Sequence, residues 1–546
     1  MLNRIVSIGC ALLLLAPPQA AAAGFAEALA RELSSGALVA EADNETAALA
    51  TLTRFYADRG MRPVWVTAEA AGERAVTLAK ILVAANEDAL DPDDYGGAAI
   101  DALLGATRMD LLAQLEVRLS MGLMRFAADL GQGRIAPNAA DPALFLFRED
   151  VDKAEVIAGA AGAVDLEAFV QRYRPQTPRY NRLKTALTRY RLIARDGGWQ
   201  SVPAGPTLKP GMSESRVPLL RARLRVSGDL VPDQDAARAG GDPNLYDDAL
   251  VAAVKQMQFR HGLEADGALG RRTLEALNVP VEARIEQMIL NLERRRWMPD
   301  DLGRRYVFVN LADFTLKFVD GEKTVLDMRV VIGKPYHKTP VFSKDMTYLE
   351  INPYWNVPPS IASKELLPKI KKNVNYLSSN KFEVFNSWKS GAAAVDPRTV
   401  DWQRYTAADF PFKLRQGSGD GNALGRIKFM LPNHFNVYLH DTPTKALFDK
   451  AARSFSHGCI RVQHPPRLAE VVLAGNPGWS LAKIEASIES GERKVVTLAK
   501  PLPVHISYLT AWVNKDGSVH FRNDVYKRDH ALADALLGPR ATRVTY

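Results

Sequence analysis

The amino-acid sequence predicts a multidomain α+β chain: a helical scaffold region, a small three-helix module, and a mostly-β domain with a lid-like insertion. Three observations carry this expectation. The chain has 546 residues, more than one hydrophobic core organises, since cores stop growing near ~250–300 residues. Apolar residues recur at helical spacing as far as Met298. From Tyr306 onward they alternate, which is the period of a half-buried strand. A composition of 47% apolar and 24% charged residues excludes a disordered, collagen-like or coiled-coil chain.

Residues 1–23 read as a secretory signal. Arg4 supplies the positive start, the run from Ile5 to Ala16 the apolar segment, and Ala21, Ala22 and Ala23 the small residues before cleavage ahead of Gly24. The apolar run is too short to span a bilayer, which takes ~20 residues, so no stable membrane span is expected after cleavage. Removal of the signal takes Cys10 and leaves Cys459 as the one cysteine. An exported chain with one cysteine forms no internal disulfide, so the thiol is either buried or used. The net charge of +8 suits an acidic polymer. No run of five like charges is present, so a nucleic-acid arm is not expected.

Residues 24–210 form the helical scaffold, with apolar residues at helical spacing over 25–33, 47–56, 75–85, 109–130 and 165–194. No chemistry-bearing motif falls there. A Pro/Gly-rich linker covers 201–211. The three-helix module follows over 212–279. Val217, Leu220 and Leu224 mark its first helix, residues 246–261 its second, closed by Gly262, and Asp266-Gly267 a turn into the third, which ends near Asn278. Residues 281–303 begin as one helix, expected to return to the scaffold.

A β-rich domain spans 304–490. Val307, Val309 and Leu311 alternate, Asp320-Gly321 marks a turn, and Val325 to Ile332 forms a further strand. Residues ~367–425 are polar, with Trp388, Trp402, Gly417, Gly419 and Gly421, and read as a lid-like insertion. Strands resume at 428–431 and 436–440. Residues 491–546 are expected to be a β-rich C-terminal extension.

The chemistry concentrates in Tyr438-Leu-His440-Asp441, followed after Phe455 by Ser456-His457-Gly458-Cys459-Ile460-Arg461. A nucleophilic cysteine needs a base or cation beside it, because the thiolate is the reactive species. The intervening chain is long enough to bring His440 back to Cys459. Gly458 lets the backbone take an unusual conformation, and amides around it can face a developing oxyanion. Arg461 lies two residues beyond Cys459, on the same side of extended backbone, where it can hold a carboxylate. Tyr438 shares the face of His440 for the same reason. A metal site built from His434, His440, His457, His464 and Cys459 is disfavoured, because His457 and Cys459 are two apart and no second cysteine completes a zinc pattern.

This signature resembles that of the L,D-transpeptidases with a YkuD-type catalytic domain: an upstream His, then Ser/Thr-His-Gly-Cys, a hydrophobic residue, and Arg or Asn. Gly333-Lys334-Pro335 with Thr339-Pro340 resembles the family's segment near the site. The stretch from Asn352 to Pro359 resembles the large exported YcbB-like subgroup. The Ala-Val-Lys-x-Met-Gln-x-x-His-Gly-Leu stretch with Asp266-Gly267, Gly270, Thr273, Leu274 and Leu277-Asn278 resembles the three-helix peptidoglycan-binding module.

The resemblance implies a thiol acyltransferase of the bacterial cell wall, exported to the periplasm of a Gram-negative-type bacterium. Cys459 attacks the carbonyl before the terminal D-Ala of a tetrapeptide stem, D-Ala leaves, and the amine of a second stem resolves the thioester into a 3→3 cross-link. His440 is the base, oriented by the backbone carbonyl of Asp441. His457, Gly458 and Cys459 form the oxyanion site, Ser456 and Arg461 position substrate, and Tyr438 and Trp355 line the donor pocket. The partners implied are peptidoglycan stem peptides and glycan, with carbapenem β-lactams as covalent inhibitors. No metal or organic cofactor is required. The acceptor stays open between a stem amine, water, a lipoprotein lysine and a D-amino acid. A non-catalytic peptidoglycan-binding protein is the alternative of another class.

Overall fold

The computed structural model describes residues 18–35, 43–67, 69–146, 150–231 and 242–538. Most of the expected signal segment, residues 1–17, lies outside the described residues, as do 232–241 of the expected module and 539–546 of the expected extension. Among the described residues, no helix is long and apolar enough to cross a membrane. The chain divides into two compact units.

The first unit comprises Met1–Arg134, Arg148–Lys184 and Arg295–Trp297. Its helices are Pro18–Ser35, Asp43–Asp58, Glu73–Val83, Gly97–Leu103, Met109–Gln132, Lys153–Gly162 and Leu166–Gln171, with the start of Pro178–Arg195. They pack Phe25, Leu29, Leu52, Leu78, Leu115 and Leu123 into one core. The continuous helix expected over 165–194 is broken, because Pro175 and Pro178 interrupt the backbone ladder between two shorter helices. The buried Glu116 carboxylate accepts from the Tyr56 hydroxyl at 2.6 Å and from the amides of Trp65 and Val66 at 3.0 Å. Arg296 donates to the Tyr180 hydroxyl at 3.0 Å, beside the buried Asp88–Arg174 ion pair.

The second unit comprises Ile135–Phe147, Thr185–Arg294 and Met298–Tyr546. Its three-helix module has helices Val217–Ser227, Asp248–Arg260 and Arg271–Leu277 around Leu220, Leu224, Leu250, Val254 and Leu277. Gly262 closes the second helix at φ +69. The Asp266-Gly267 turn is clasped by the buried Gln258, whose amide group bonds Asp266 at 2.7 Å and whose carbonyl takes the Gly267 N–H at 2.8 Å. The expected linker is woven into this module: Val202 and Leu208 sit in its core, and Leu208 pairs with Leu269. Arg522 donates to the Arg260 carbonyl at 2.7 Å and pairs with Asp313, which ties the module to the β-rich domain.

The β-rich domain is one large sheet. Its strands are β1 (Leu144–Phe145), β2 (Arg305–Asn310), β3 (Thr315–Asp320), β4 (Lys323–Gly333), β5 (Val341–Ile351), β10 (Ile427–Met430), β11 (Leu439–His440), β12 (Ser454–Ser456), β13 (Ile460–Val462) and β14 (Lys494–Ser507); β6 to β9, given below, form a separate sheet. The order is β1-β5-β10-β11-β13-β4-β3-β2-β14, with β12 also on β4. Because β14 pairs β5 as well as β2, the sheet closes on itself and leaves few unpaired edges.

Three sequence-based boundaries change. Residues 135–147, expected in the scaffold, belong to the second unit, where β1 lies parallel to β5 with Leu144 opposite Val341. Residues 494–507, expected in an extension, are the longest strand of the closed sheet; among the described residues, the hairpin of β15 (Ala511–Val513) and β16 (Val519–Phe521) and the helix Arg528–Leu537 are the elements beyond it. The insertion expected at ~367–425 starts earlier, directly after β5. It has a four-stranded sheet of β6 (Trp355–Asn356), β7 (Phe382–Phe385), β8 (Ala394–Val395) and β9 (Lys413–Gln416), with its own core of Val357, Leu366, Ile370, Leu377, Val384 and Leu414. The Pro-rich start of this segment masked its helical continuation in the sequence.

Two expectations follow for the second unit. Arg528 is fully buried and pairs with Asp141 at 3.0 Å, so Asp141→Ala strands a buried cation and should cost about 3 kcal/mol in denaturant unfolding. Burial and the charges of Arg522 and Arg260 hold His520 neutral down to about 3, whereas the unfolded chain protonates near 6.5. Acidification through that interval favours the unfolded state. Between pH 7 and pH 5 the wild type should lose about 2 kcal/mol more stability than His520→Asn; equal losses would contradict this account.

Candidate active site

The site is assembled on one face of the sheet by strand register. β11 lies parallel to β13, with Leu439 opposite Ile460 and His440 opposite Arg461. β10 lies antiparallel to β11, with Lys428 opposite His440. β5 lies antiparallel to β10, with Glu350 opposite Lys428. Side chains alternate across a strand, so Glu350, Lys428, His440 and Arg461 share one face, while Leu349, Phe429, Leu439 and Ile460 turn into the core on the other. Tyr438 and Cys459, each two residues earlier, fall on the polar face, and the Tyr438 carbonyl takes the Ile460 N–H at 3.1 Å.

The loop before Cys459 is fixed by backbone and hydroxyl bonds. Gly458 has φ +116, which side chains rarely tolerate. Its carbonyl accepts from the Thr339 hydroxyl at 2.8 Å, and that hydroxyl accepts from the Gly333 N–H at 3.0 Å. A Cβ on Gly333 would lie 2.0 Å from the His337 carbonyl oxygen, so only glycine fits. Ser456 donates its hydroxyl to the Cys459 carbonyl at 2.6 Å and accepts from the Gly458 N–H at 3.2 Å. The Gly458 amide, expected in the oxyanion site, is therefore occupied. Among the described residues, the amides of His457 and Cys459 carry no hydrogen bond.

His440 is buried. Its Nδ1 lies 2.5 Å from the Asp441 carbonyl oxygen, so Nδ1 carries the proton and Nε2 the lone pair. Burial and the charge of Arg461 lower its pKa to about 3, and the imidazole is neutral at physiological pH. The Asp441 carboxylate accepts from the amides of Arg426 at 2.8 Å and Thr442 at 2.7 Å and pairs with Lys445, which holds the loop that presents its carbonyl.

Cys459 is half-buried. Burial pushes its thiol up, opposed first by the backbone N–H of Tyr438, then by the Tyr438 side chain and by the charges of Lys428 and Arg461. The thiol also points to the Asn436 carbonyl at 3.8 Å. Neither of these contacts is to His440, so the resting thiol is held by Tyr438 and Asn436 on the face it shares with the imidazole. Among the described residues, the buried Nε of Arg461 has no hydrogen-bond partner, so this guanidinium is suited to an anion.

The remaining expected residues divide. His457 bonds Glu365 of the insertion at 2.6 Å and packs at 5.0 Å on the ring of His337. Glu365 sits in a π-helical turn, Ala362–Leu366, an irregularity frequent at functional sites. Trp355, expected in the donor pocket, packs on Phe382 at 6.3 Å within the insertion. Sequence reasoning missed Lys428, Glu350, Asn436 and Glu365. A lysine in the otherwise apolar stretch Ile427-Lys-Phe-Met430 was the available signal for the first.

Three family models match the chain. A “Scaffold domain” covers residues 50–187, a “Putative peptidoglycan binding domain” residues 213–277, and the YkuD “L,D-transpeptidase catalytic domain” residues 304–484. A “Putative L,D-transpeptidase” of Haemophilus influenzae is 30% identical over 290 residues, which make up 52% of this chain and 58% of that protein. Solved L,D-transpeptidases align at 14% identity for Xylanimonas cellulosilytica (56% of this chain, 98% of that one, TM-score 0.17) and 13% for Stackebrandtia nassauensis (56% and 95%, TM-score 0.20). The β-rich region that presents Tyr438, His440, Cys459 and Arg461 is an L,D-transpeptidase catalytic domain of the YkuD type, and the three-helix module ahead of it is a peptidoglycan-binding domain.

Proposed function

We propose that this chain forms 3→3 cross-links in peptidoglycan through a thioester on Cys459, working in the periplasm. The observation that carries the reading is a thiol sharing one sheet face with a neutral histidine of fixed tautomer and a guanidinium whose buried Nε has no partner among the described residues.

In the first step the Cys459 sulfur attacks the carbonyl carbon between the third residue of a tetrapeptide stem and its terminal D-Ala. The thiol proton passes to His440 Nε2. With the thiol pushed up and the imidazole pushed down, the resting pair is uncharged, so proton transfer accompanies attack rather than preceding it. The carbonyl oxygen gains negative charge, which the N–H groups of His457 and Cys459 are placed to stabilise by donating hydrogen bonds to it. Collapse breaks the C–N bond, His440 returns the proton to the leaving amine, and D-Ala departs. In the second step the amine of another stem attacks the thioester, His440 takes its proton, and the thiol of Cys459 is regenerated as the new amide forms. Arg461 is placed to hold a stem carboxylate. Ser456 and Gly458 set the loop, and Tyr438 holds the sulfur. The insertion covers the loop through Glu365 and His457, which limits water as a competing acceptor. The peptidoglycan-binding domain keeps the enzyme on its polymer.

The test is product analysis by mass spectrometry with purified tetrapeptide stems. A dimer lighter by one D-Ala, fragmenting as 3→3 and absent with Cys459→Ala, is expected. Tripeptide alone would assign water as the acceptor and overturn the cross-linking reading.

Two further outcomes follow. Acylation of Cys459 by a carbapenem should be nearly independent of pH between about 5 and 8, because the imidazole is pushed down to about 3 and burial raises the thiol above its ordinary value of 9.0, so the uncharged pair is the reacting form throughout. A rate that climbs about tenfold per pH unit across that interval would mean that a pre-formed thiolate reacts and would contradict the uncharged resting pair. Gly458→Ala forces a side chain into φ +116, at a cost of about 1–3 kcal/mol, and should reduce the acylation rate at least tenfold while the peptidoglycan-binding domain still binds sacculi.

A further inference from the structure

Lys428 has no part in the mechanism above, yet it lies against the reactive face. Its Nζ sits 4.2 Å from the centroid of the Tyr438 ring. The same ammonium lies 3.8 Å from Glu350 Oε1, and the side chain is only 15% exposed. Glu350 is in turn held by Arg493, through Nε at 2.9 Å and Nη2 at 2.6 Å on the other carboxylate oxygen. Tyr438 in turn faces the Cys459 sulfur, and its backbone N–H and side chain both favour the thiolate. A file of charged and polar groups therefore runs from Arg493, just before β14, through Glu350 on β5 and Lys428 on β10 to Tyr438 and Cys459, just before β11 and β13.

A lysine placed this way is costly. Burial lowers its own pKa, which Glu350 partly offsets, so Glu350 keeps the ammonium charged. A structural lysine would use its pair with Glu350 alone, but here the ammonium also lies on the ring that orients the thiol. Cation–π contact strengthens with desolvation and draws electron density from the phenol, making its hydroxyl a better donor to sulfur. Lys428 is also the nearest ammonium in the file to the thiolate, which it favours through space.

We propose that Lys428 is a positioning residue for the reaction: held by Glu350 over the Tyr438 ring, it fixes the phenol against Cys459 and supplies the positive field in which the thiolate forms. Glu350 sets the strength of that field by opposing it. The inference rests on the reading of Cys459 as the nucleophile. The groups facing the thiol are Tyr438 just before β11, His440 on β11, Arg461 on β13, Lys428 on β10 with Glu350 of β5 behind it, and His457 in the same loop, paired with Glu365.

The experiment measures the rate of Cys459 alkylation by iodoacetamide across pH in the full chain, read by mass spectrometry of the peptide that holds Cys459, which separates it from Cys10. It needs no transpeptidase activity, so its failure is separable from failure of the cross-linking assay. Lys428→Met should alkylate about threefold more slowly, or slower still, at pH 8, with the profile displaced to higher pH. Lys428→Arg should restore the rate, and Glu350→Gln should raise it, because the opposing charge is gone. Thermal unfolding of each variant separates a changed field from a damaged fold. A Lys428→Met profile superimposed on the wild type would overturn the proposal. So would equal slowing in Lys428→Met, Lys428→Arg and Glu350→Gln, which marks a merely structural role.

Discussion

The site depends on the parallel pairing of two very short strands. β11 contributes two residues and β13 three, yet their register alone puts Tyr438, His440, Cys459 and Arg461 on one face. A shift of one residue would turn His440 or Cys459 into the core. Strands this short do not specify their own register. It is set by their neighbours, since β10 pairs the other edge of β11 and β4 the other edge of β13. Closure of the sheet through β14 and β5 leaves these central strands little freedom to slip.

The second constraint is the approach of two loops at glycine. Gly333 and Gly458 come close enough that a Cβ on the former would lie 3.1 Å from the Cα of the latter, and Thr339 bridges both. That bridge is supported from far along the chain. Tyr526 donates to the Gly333 carbonyl at 2.7 Å, Arg528 to the Thr339 carbonyl at 3.2 Å, and Arg528 is neutralised by Asp141. Residues from the segment before β1 and from the C-terminal helix thus hold the loop that presents Cys459. Their charge pair is buried and stabilises the arrangement only as a pair.

How much of this was legible in the sequence follows from the range of each interaction. The Ser456-His457-Gly458-Cys459 stretch and His440 are local patterns, and the orientation of His440 by the Asp441 carbonyl needs one residue of separation. Module helices, with Gly262 and the Asp266-Gly267 turn, were legible because caps and turns are local. The long strand β14 was not, because its partners lie some 150 and 200 residues earlier in β5 and β2. Nor was β1, whose two residues carry no period and are strand only because β5 offers an edge. The role of Lys428 is not legible, because its neighbours Glu350 and Tyr438 come from distant sequence positions, and the occupied Gly458 amide depends on a hydroxyl position that spacing does not reveal.

Electrostatically the face is cationic around an uncharged pair. Lys428 and Arg461 surround a thiol pushed up and an imidazole pushed down, so charge separates only when a substrate carbonyl accepts electrons. The central claim is that acyl transfer runs through the sulfur of Cys459. The most direct measurement is rapid-quench intact-protein mass spectrometry with a tetrapeptide stem, followed by peptide mapping. A transient adduct equal to the stem minus D-Ala, located on Cys459, is predicted; release of D-Ala with Cys459 unmodified at every time point would contradict the account.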